Sequence, residues 1–186
     1  MADTKPAAPV IPTLGIHHIT FMGADRQTSM DFWSGVLGMP FVFEQPNLDD
    51  NSQNHLYFDP GDGRLITVFT SEDWARDPRP VPLKAGSMHH LAFIVSRATY
   101  TVGAKRLRER GFASSGEIDR GFMDSLYFRD PLGQTYELAC YKFDPPPGHT
   151  HTDVLAAAHP IRIAAGAKNI ELPHLMAAIE ALKAKR

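Results

Sequence analysis

Histidine occurs in this sequence as two adjacent pairs in matching apolar segments. His17 and His18 lie in "GIHHIT", and His89 and His90 lie in "SMHHLAF". Imidazole is a frequent metal ligand and a proton carrier near neutral pH. Consecutive side chains of a regular strand point to opposite faces, so we expect the two rings of each pair to lie on opposite sides of a sheet. One ring of each pair would then be free to join a shared site.

A carboxylate completes a possible ligand set. Glu137 lies in the apolar segment 134–143, where burial of a charge is costly unless a cation compensates it. The preceding "DPLG", residues 130–133, is typical of a three-residue hairpin loop. The register of that hairpin places Tyr127 opposite Glu137, and cross-strand partners share one face of a sheet.

These residue types point to a particular kind of metal site. Two imidazoles and one carboxylate hold a divalent metal on one face and leave the opposite positions open, which suits non-haem Fe(II) chemistry with oxygen. A closed zinc site would use four protein ligands, often cysteines. The chain has one cysteine, Cys140, which strand alternation turns away from Glu137 and which we interpret as a packing residue.

The elements that must position these residues form an internal repeat. The histidine pairs are 72 residues apart, and each opens a β-α-β-β-β pattern. The pattern predicts an α+β fold with a first module at 15–72, a linker at 73–86 and a second module at 87–142. The two modules are expected to form a curved, mixed eight-stranded sheet around a metal-binding cavity. The predicted helices run from the cap Asp25 to Leu37 and, after the cap Ser96, over 97–110.

The two ends of the chain differ from the modules. Residues 1–14 are predicted to form a flexible arm, and residues 143–186 a proline-rich exit followed by a helical tail. The tail helix is expected over 173–184, with one apolar stripe that packs on its own domain or, as the alternative, on a second subunit: Leu175, Met176, Ile179 and Leu182. His149 and His151 would close over the site or belong to a flexible metal-scavenging stretch. His55, His159 and His174 are interpreted as structural.

The totals limit the class of protein. The chain has 186 residues, 43% hydrophobic and 22% charged, with a formal net charge of -2. That charge argues against a general nucleic-acid or anionic-membrane binder. A single cysteine excludes an internal disulfide framework and favours a reducing compartment, so a cytoplasmic location is expected. No apolar run approaches the ~20 residues of a membrane helix.

Four segments resemble the vicinal oxygen chelate superfamily, which includes glyoxalase I, fosfomycin resistance proteins, bleomycin-binding proteins and type I extradiol dioxygenases. The segments are "HHIT" at 17–20, "FWSGVLGM" at 32–39, "MHHLAF" at 88–93 and "YFRDPLGQTYEL" at 127–138. The resemblance covers residues 15–142. It implies that the metal ligands are the second histidine of each pair and the glutamate after the hairpin: His18, His90 and Glu137.

Among the members, the extradiol ring-cleaving dioxygenases are most similar, especially those that cleave hydroquinones. The resemblance implies Fe(II), with Mn(II) as a possible substitute, acting on a catechol or hydroquinone and O2 in a homodimer. Its catalytic candidates are Tyr127, His17, His89 and Arg120. Many extradiol enzymes are about twice this length, so the chain would be a compact two-module version. Glyoxalase-like members add a fourth ligand on a strand where this chain offers only Thr67 or Thr70, which favours a three-ligand site.

Two other functions stay open from the sequence. A fosfomycin-type thiol transferase would also use two histidines and a glutamate, with Thr20 after the first ligand and usually Mn(II) as the metal. Such an enzyme needs a basic phosphonate pocket, and the sequence shows no dense cationic cluster near the ligands. A non-catalytic binding protein of the bleomycin-resistance kind would not require the ligand set at all.

Overall fold

The computed structural model describes residues 11–184, in which the chain divides into two compact units, up to Arg76 and from Asp77 onward. The division falls inside the segment 73–86 that the sequence assigns to a linker. Most of the expected N-terminal arm, residues 1–10, lies outside the described residues. No helix between residues 11 and 184 is both long and apolar enough to cross a membrane.

Unit 1 contains the first β-α-β-β-β module. Its strands pair in the order β1-β4-β3-β2, with β1 parallel to β4 and the other pairs antiparallel. Asp25 caps the helix as predicted, because its Oδ1 accepts from the backbone N–H of Thr28 at 2.7 Å. The elements are β1 (His18–Met22), α1 (Arg26–Met30), which continues as a π-helix (Asp31–Val36), β2 (Phe41–Pro46), β3 (Asn54–Phe58) and β4 (Leu65–Thr70).

Unit 2 repeats this order and adds two helices. Its strands pair as β5-β8-β7-β6, again with the first strand parallel to the last. Ser96 caps α2 as predicted, since its Oγ accepts from the Thr99 N–H at 3.1 Å. The elements are β5 (Leu91–Ile94), α2 (Arg97–Glu109), β6 (Ile118–Asp119), β7 (Met123–Arg129), β8 (Thr135–Tyr141), α3 (His151–Ala164) and α4 (Leu172–Lys183). The predicted α+β fold of two modules is confirmed, as two four-stranded mixed sheets.

The predicted hairpin between β7 and β8 is also confirmed. The Gly133 N–H donates to the Asp130 carbonyl at 3.2 Å, and the Asp130 N–H donates to the Gln134 carbonyl at 3.1 Å. This loop sets the register that places Tyr127 opposite Glu137. Because β8 lies between β5 and β7, Glu137 occupies an interior strand.

The tail packs on its own unit. Leu175 and Ile179 of α4 are buried against Val154 and Ala158 of α3 and against Phe143. The prediction of one apolar stripe on α4 was wrong at Met176, which is half exposed.

The sequence prediction missed α3. This helix starts at a capping box between Thr150 and Asp153, a helix signal that the prediction overlooked, and it contains Pro160, a residue that usually ends a helix. His151 is its first residue and stacks on Tyr141, with ring centroids 4.0 Å apart. The expectation of a flexible metal-scavenging stretch is therefore wrong for His151.

Candidate metal and substrate site

The most unusual polar group in unit 2 is the carboxylate of Glu137. Its side chain is 2% exposed, and its Oε2 lies 2.8 Å from Nε2 of His90, whose side chain is 30% exposed. The other oxygen, Oε1, is buried and has no hydrogen-bond partner among residues 11–184. A buried acceptor left unpaired costs about 1–3 kcal/mol, and more when it is charged. A divalent cation bound beside His90 would relieve that cost, so the donor set fits a metal.

The two rings of each histidine pair lie together. Nδ1 of His89 is 2.7 Å from Nδ1 of His90, and the corresponding atoms of His17 and His18 are 2.8 Å apart. The expectation of opposite faces was therefore wrong. The reason is where the strands begin: β1 starts at His18 and β5 at Leu91. Neither histidine pair lies wholly within a strand, so the alternation of side chains along a strand does not apply to it.

This ring contact has a consequence for metal binding. A hydrogen bond at Nδ1 fixes the tautomer and orientation of a histidine and leaves Nε2 available as the ligand atom. In unit 2 that atom is the one that faces Glu137. Through these contacts His89 and His17 can each set the tautomer and orientation of the proposed ligand beside them.

Tyr127 and Arg120 complete the cluster in unit 2. The Tyr127 ring lies edge-on to His90, with centroids 5.4 Å apart. The guanidinium carbon of Arg120 is 5.6 Å from the centroid of that ring, and its Nη2 is 3.4 Å from the hydroxyl oxygen. The structure thus brings together all five residues that the sequence and the resemblance proposed for this unit.

Unit 1 carries a hydroxyl where unit 2 carries the carboxylate. Ala92 pairs with Glu137 between β5 and β8, and Thr20, which is 72 residues before Ala92, pairs with Thr67 between β1 and β4. Thr67 is fully buried and donates to Oγ1 of Thr20 at 2.8 Å. A threonine in a neutral hydrogen bond is a poor ligand for a divalent metal, so this position in unit 1 is not suited to supply a fourth ligand.

The three proposed ligands are divided between the units. His18 is exposed at the start of β1 in unit 1, whereas His90 and Glu137 belong to unit 2. Considering each unit separately, the residues from 11 to 184 contain no group of three histidine, cysteine, aspartate or glutamate side chains that could hold a metal.

His55 is a residue whose environment the sequence did not reveal. Its Nδ1 bonds the Tyr57 hydroxyl at 2.8 Å and its ring lies against Phe69, while its buried Nε2 has no hydrogen-bond partner. Burial lowers the pKa of His55, and the nearby His18 lowers that pKa further. His174 has the structural role expected of it, since it is buried and its Nδ1 accepts from the Glu171 N–H at 3.0 Å.

Comparison with known proteins identifies the family of this chain. Residues 15–138 match the model of a family described as the glyoxalase/bleomycin resistance protein/dioxygenase superfamily. A curated protein of Bacillus subtilis (strain 168), named "Putative ring-cleaving dioxygenase MhqO", is 32% identical over 126 residues, which is 68% of this chain. The match spans 40% of that longer relative.

Solved structures show the same fold. A crystal structure titled "putative dioxygenase", from B. subtilis subsp. subtilis str. 168, is 29% identical with a TM-score of 0.55, covering 69% of this chain and 41% of that one. A mutant of the fosfomycin resistance protein FosX of Listeria monocytogenes, complexed with Mn(II) and 1S,2S-dihydroxypropylphosphonic acid, is 18% identical with a TM-score of 0.52. That comparison covers 68% of this chain and 92% of FosX. At that identity the likeness concerns the fold alone.

Proposed function

Because the chain belongs to the glyoxalase/bleomycin resistance protein/dioxygenase superfamily, we propose that it is a metal-dependent dioxygenase that opens the ring of a catechol or hydroquinone with O2. One observation carries the proposal: the buried Glu137 carboxylate contacts an imidazole nitrogen through Oε2 and has no hydrogen-bond partner at Oε1. The ring-cleaving name of the B. subtilis relative supports the same reaction class.

We propose that His18, His90 and Glu137 hold one Fe(II). Two imidazoles and one carboxylate suit this ion and leave positions open for exogenous ligands. When bound, the iron would bring the diol and O2 together and pass electrons between them. Mn(II) accepts the same donor atoms, so the ligand set alone does not choose between the two metals.

The chain's own residues would handle the protons and the charge of the substrate. The Tyr127 hydroxyl can donate a hydrogen bond to a phenolate oxygen or exchange a proton with it. The Arg120 guanidinium beside that hydroxyl would hold an anionic oxygen. His89 contacts Nδ1 of His90, and His17 contacts Nδ1 of His18. Each would accept a hydrogen bond that keeps Nε2 of the neighbouring ligand free to bind the metal, which is a positioning role rather than a transfer of the diol proton.

A manganese-dependent thiol transferase of the fosfomycin-resistance type is the second candidate. It would use the same proposed ligands, two histidines and one glutamate. The hydrogen bond between Thr67 and Thr20 agrees with Glu137 as the one carboxylate ligand. Binding of a phosphonate dianion requires several cationic side chains, however. Among the residues that the structure describes, Arg120 is the one cationic side chain in contact with Tyr127. A non-catalytic binder would have no use for a buried carboxylate at this position.

The test is metal analysis followed by oxygen uptake. The protein is purified anaerobically, its bound metal is identified by elemental analysis, and oxygen consumption is then measured with a panel of catechols and hydroquinones. Bound iron with diol-dependent oxygen uptake is the expected result. Bound manganese with thiol transfer to fosfomycin would instead support the transferase, and the absence of bound metal would support a binder.

A further inference from the structure

The C-terminal helices lie on the face of the unit 2 sheet that carries Glu137. Alternation along β8 puts Tyr141 on the face that carries Glu137. His151 of α3 stacks on the Tyr141 ring with an interplanar angle of 13°. These helices lie beyond residue 138, where the family match ends, so membership of the family does not account for them.

The tail contacts the loop that carries Arg120. The backbone of Gly121 approaches the segment between α3 and α4 so closely that a Cβ on this glycine would lie 2.6 Å from the carbonyl oxygen of Ile170. Gly121 also has a φ of +83°, a conformation that other residues rarely adopt. Phe122, the next residue, packs against the buried core of the two helices. The tail therefore holds the C-terminal side of Arg120.

The N-terminal side of Arg120 is held as well. Asp119 bonds Nζ of Lys142 at 2.6 Å and accepts from the Gly121 N–H at 2.6 Å. The Arg120 N–H donates to the Met123 carbonyl at 2.9 Å. The backbone of Arg120 is thus fixed on both sides, although the residue itself is exposed.

We propose that the pair of helices α3 and α4 is a positioning element that holds Arg120 over Tyr127 and thereby fixes where an anionic oxygen of the substrate binds. An exposed arginine samples many rotamers, and a free side chain loses this freedom on each binding event. Because the clamp fixes the backbone of Arg120 next to Tyr127, the side chain can lie over that ring and lose part of its rotamer freedom before the substrate arrives. The role given to Arg120 rests on the proposed function, whereas the clamp itself does not.

The experiment uses nuclear magnetic resonance of the full chain without metal, substrate or oxygen. An arginine held over an aromatic ring gives Nε–H and Hδ signals displaced by the ring current, and loss of one signal in Arg120→Lys assigns it. We expect Gly121→Ala to move this signal to the position of free arginines. The matched control is Gly116→Ala, since Gly116 has a φ of +74° near the same short strand but no atom within 4 Å of a Cβ.

A milder variant keeps the test decisive if Gly121→Ala unfolds. Ile170→Ala removes the side chain that packs on the tail core but adds no clash, and it should reduce the displacement of the Arg120 signal. A parent protein without a displaced signal, or a Gly121→Ala protein that keeps it, would overturn the proposal.

Activity measurements separate this proposal from the proposed function. If the parent cleaves aromatic diols, Gly121→Ala should lower kcat/KM about tenfold while Gly116→Ala does not, and bound metal should be unchanged in both. If the parent cleaves no diol, the proposed function is wrong, and the magnetic resonance result still decides whether the tail holds Arg120. An equal kcat/KM in the parent and in Gly121→Ala would show that the clamp has no part in substrate binding and would overturn that part of the proposal.

Discussion

At the residue scale, Glu137 is a buried carboxylate whose charge a bound cation would compensate. Its Oε1 is unpaired, and its Oε2 contacts the His90 imidazole at 2.8 Å. Burial of a charge is costly, so a neutral side chain of the same shape removes that cost without opening a cavity. Glutamine is that neutral group, so Glu137→Gln separates metal binding from packing.

We expect Glu137→Gln to lose most of its bound metal and to keep the fold. The amide retains one oxygen but not the negative charge that a divalent cation requires. Elemental analysis measures the metal and circular dichroism the fold. Glu117→Gln is the matched control, because Glu117 is an exposed glutamate of the same unit. Full metal occupancy in Glu137→Gln would remove this residue from the site.

Tyr127→Phe tests the hydroxyl beside His90. The ring should still pack edge-on to His90, so metal content should match the parent. Oxygen uptake with the best aromatic diol should fall at least about tenfold, or ~1.4 kcal/mol in the barrier, because a proton-transferring group is lost.

The control for this variant is Tyr141→Phe, which removes a hydroxyl from the same sheet next to His151. Oxygen uptake at the parental rate in Tyr127→Phe would assign the residue to packing. Loss of metal would instead mean that Tyr127 supports the ligand shell.

At the scale of the elements, the hairpin between β7 and β8 aligns the site. Gly133 has a φ of +77°, and a Cβ there would overlap the carbonyl oxygen of Arg79. The segment before the second module therefore lies directly on this hairpin, an arrangement reinforced by the hydrogen bond from the Val81 N–H to the Gly133 carbonyl at 3.2 Å. Glycine is needed at this position for two separate reasons.

We expect Gly133→Ala to destabilise the protein far more than the same change in unit 1. Gly63 also has a positive φ, +78°, but no atom lies within 4 Å of its Cβ position. Gly63→Ala should cost about 1–2 kcal/mol for the left-handed conformation alone. Gly133→Ala should cost more, because the Arg79 backbone must also move. Urea unfolding of both variants measures the difference, and equal losses would contradict the close approach.

At the scale of the whole molecule, the two C-terminal helices extend the core of unit 2. Leu175 is fully buried between them, whereas its neighbour Met176 is 50% exposed. Leu175→Ala should cost about 2–5 kcal/mol of unfolding free energy, as cavities in a core do. Met176→Ala should cost little, and thermal or urea unfolding compares the two. A small loss in Leu175→Ala would mean that the tail is only loosely attached.

The homodimer stays a prediction. Burial of Leu175 and Ile179 within unit 2 takes away most of the apolar stripe that suggested contact with a second subunit. The remaining exposed apolar residues of the tail are Ile163, Leu172 and Met176. Light scattering at micromolar concentration tests the oligomeric state, and a particle of monomer mass would refute the dimer.

Features that depend on short-range rules could be predicted from the sequence alone. Helix caps at Asp25 and Ser96 follow from side-chain chemistry within one turn. The facing of Tyr127 and Glu137 follows from the length of one loop and the two-residue period of strands. The 72-residue repeat then predicted the same order of strands and helices in both modules.

Features that depend on distant contacts, or on where a strand begins, could not be predicted from the sequence. The histidine rings meet because each pair lies at or before the first residue of its strand. Arg120 lies over Tyr127 in a loop that has no regular pattern of its own, and that loop is held by Ile170, far along the chain. Such a contact leaves no periodic signal in the sequence, because its geometry is fixed by the packing of a helix pair rather than by neighbouring residues.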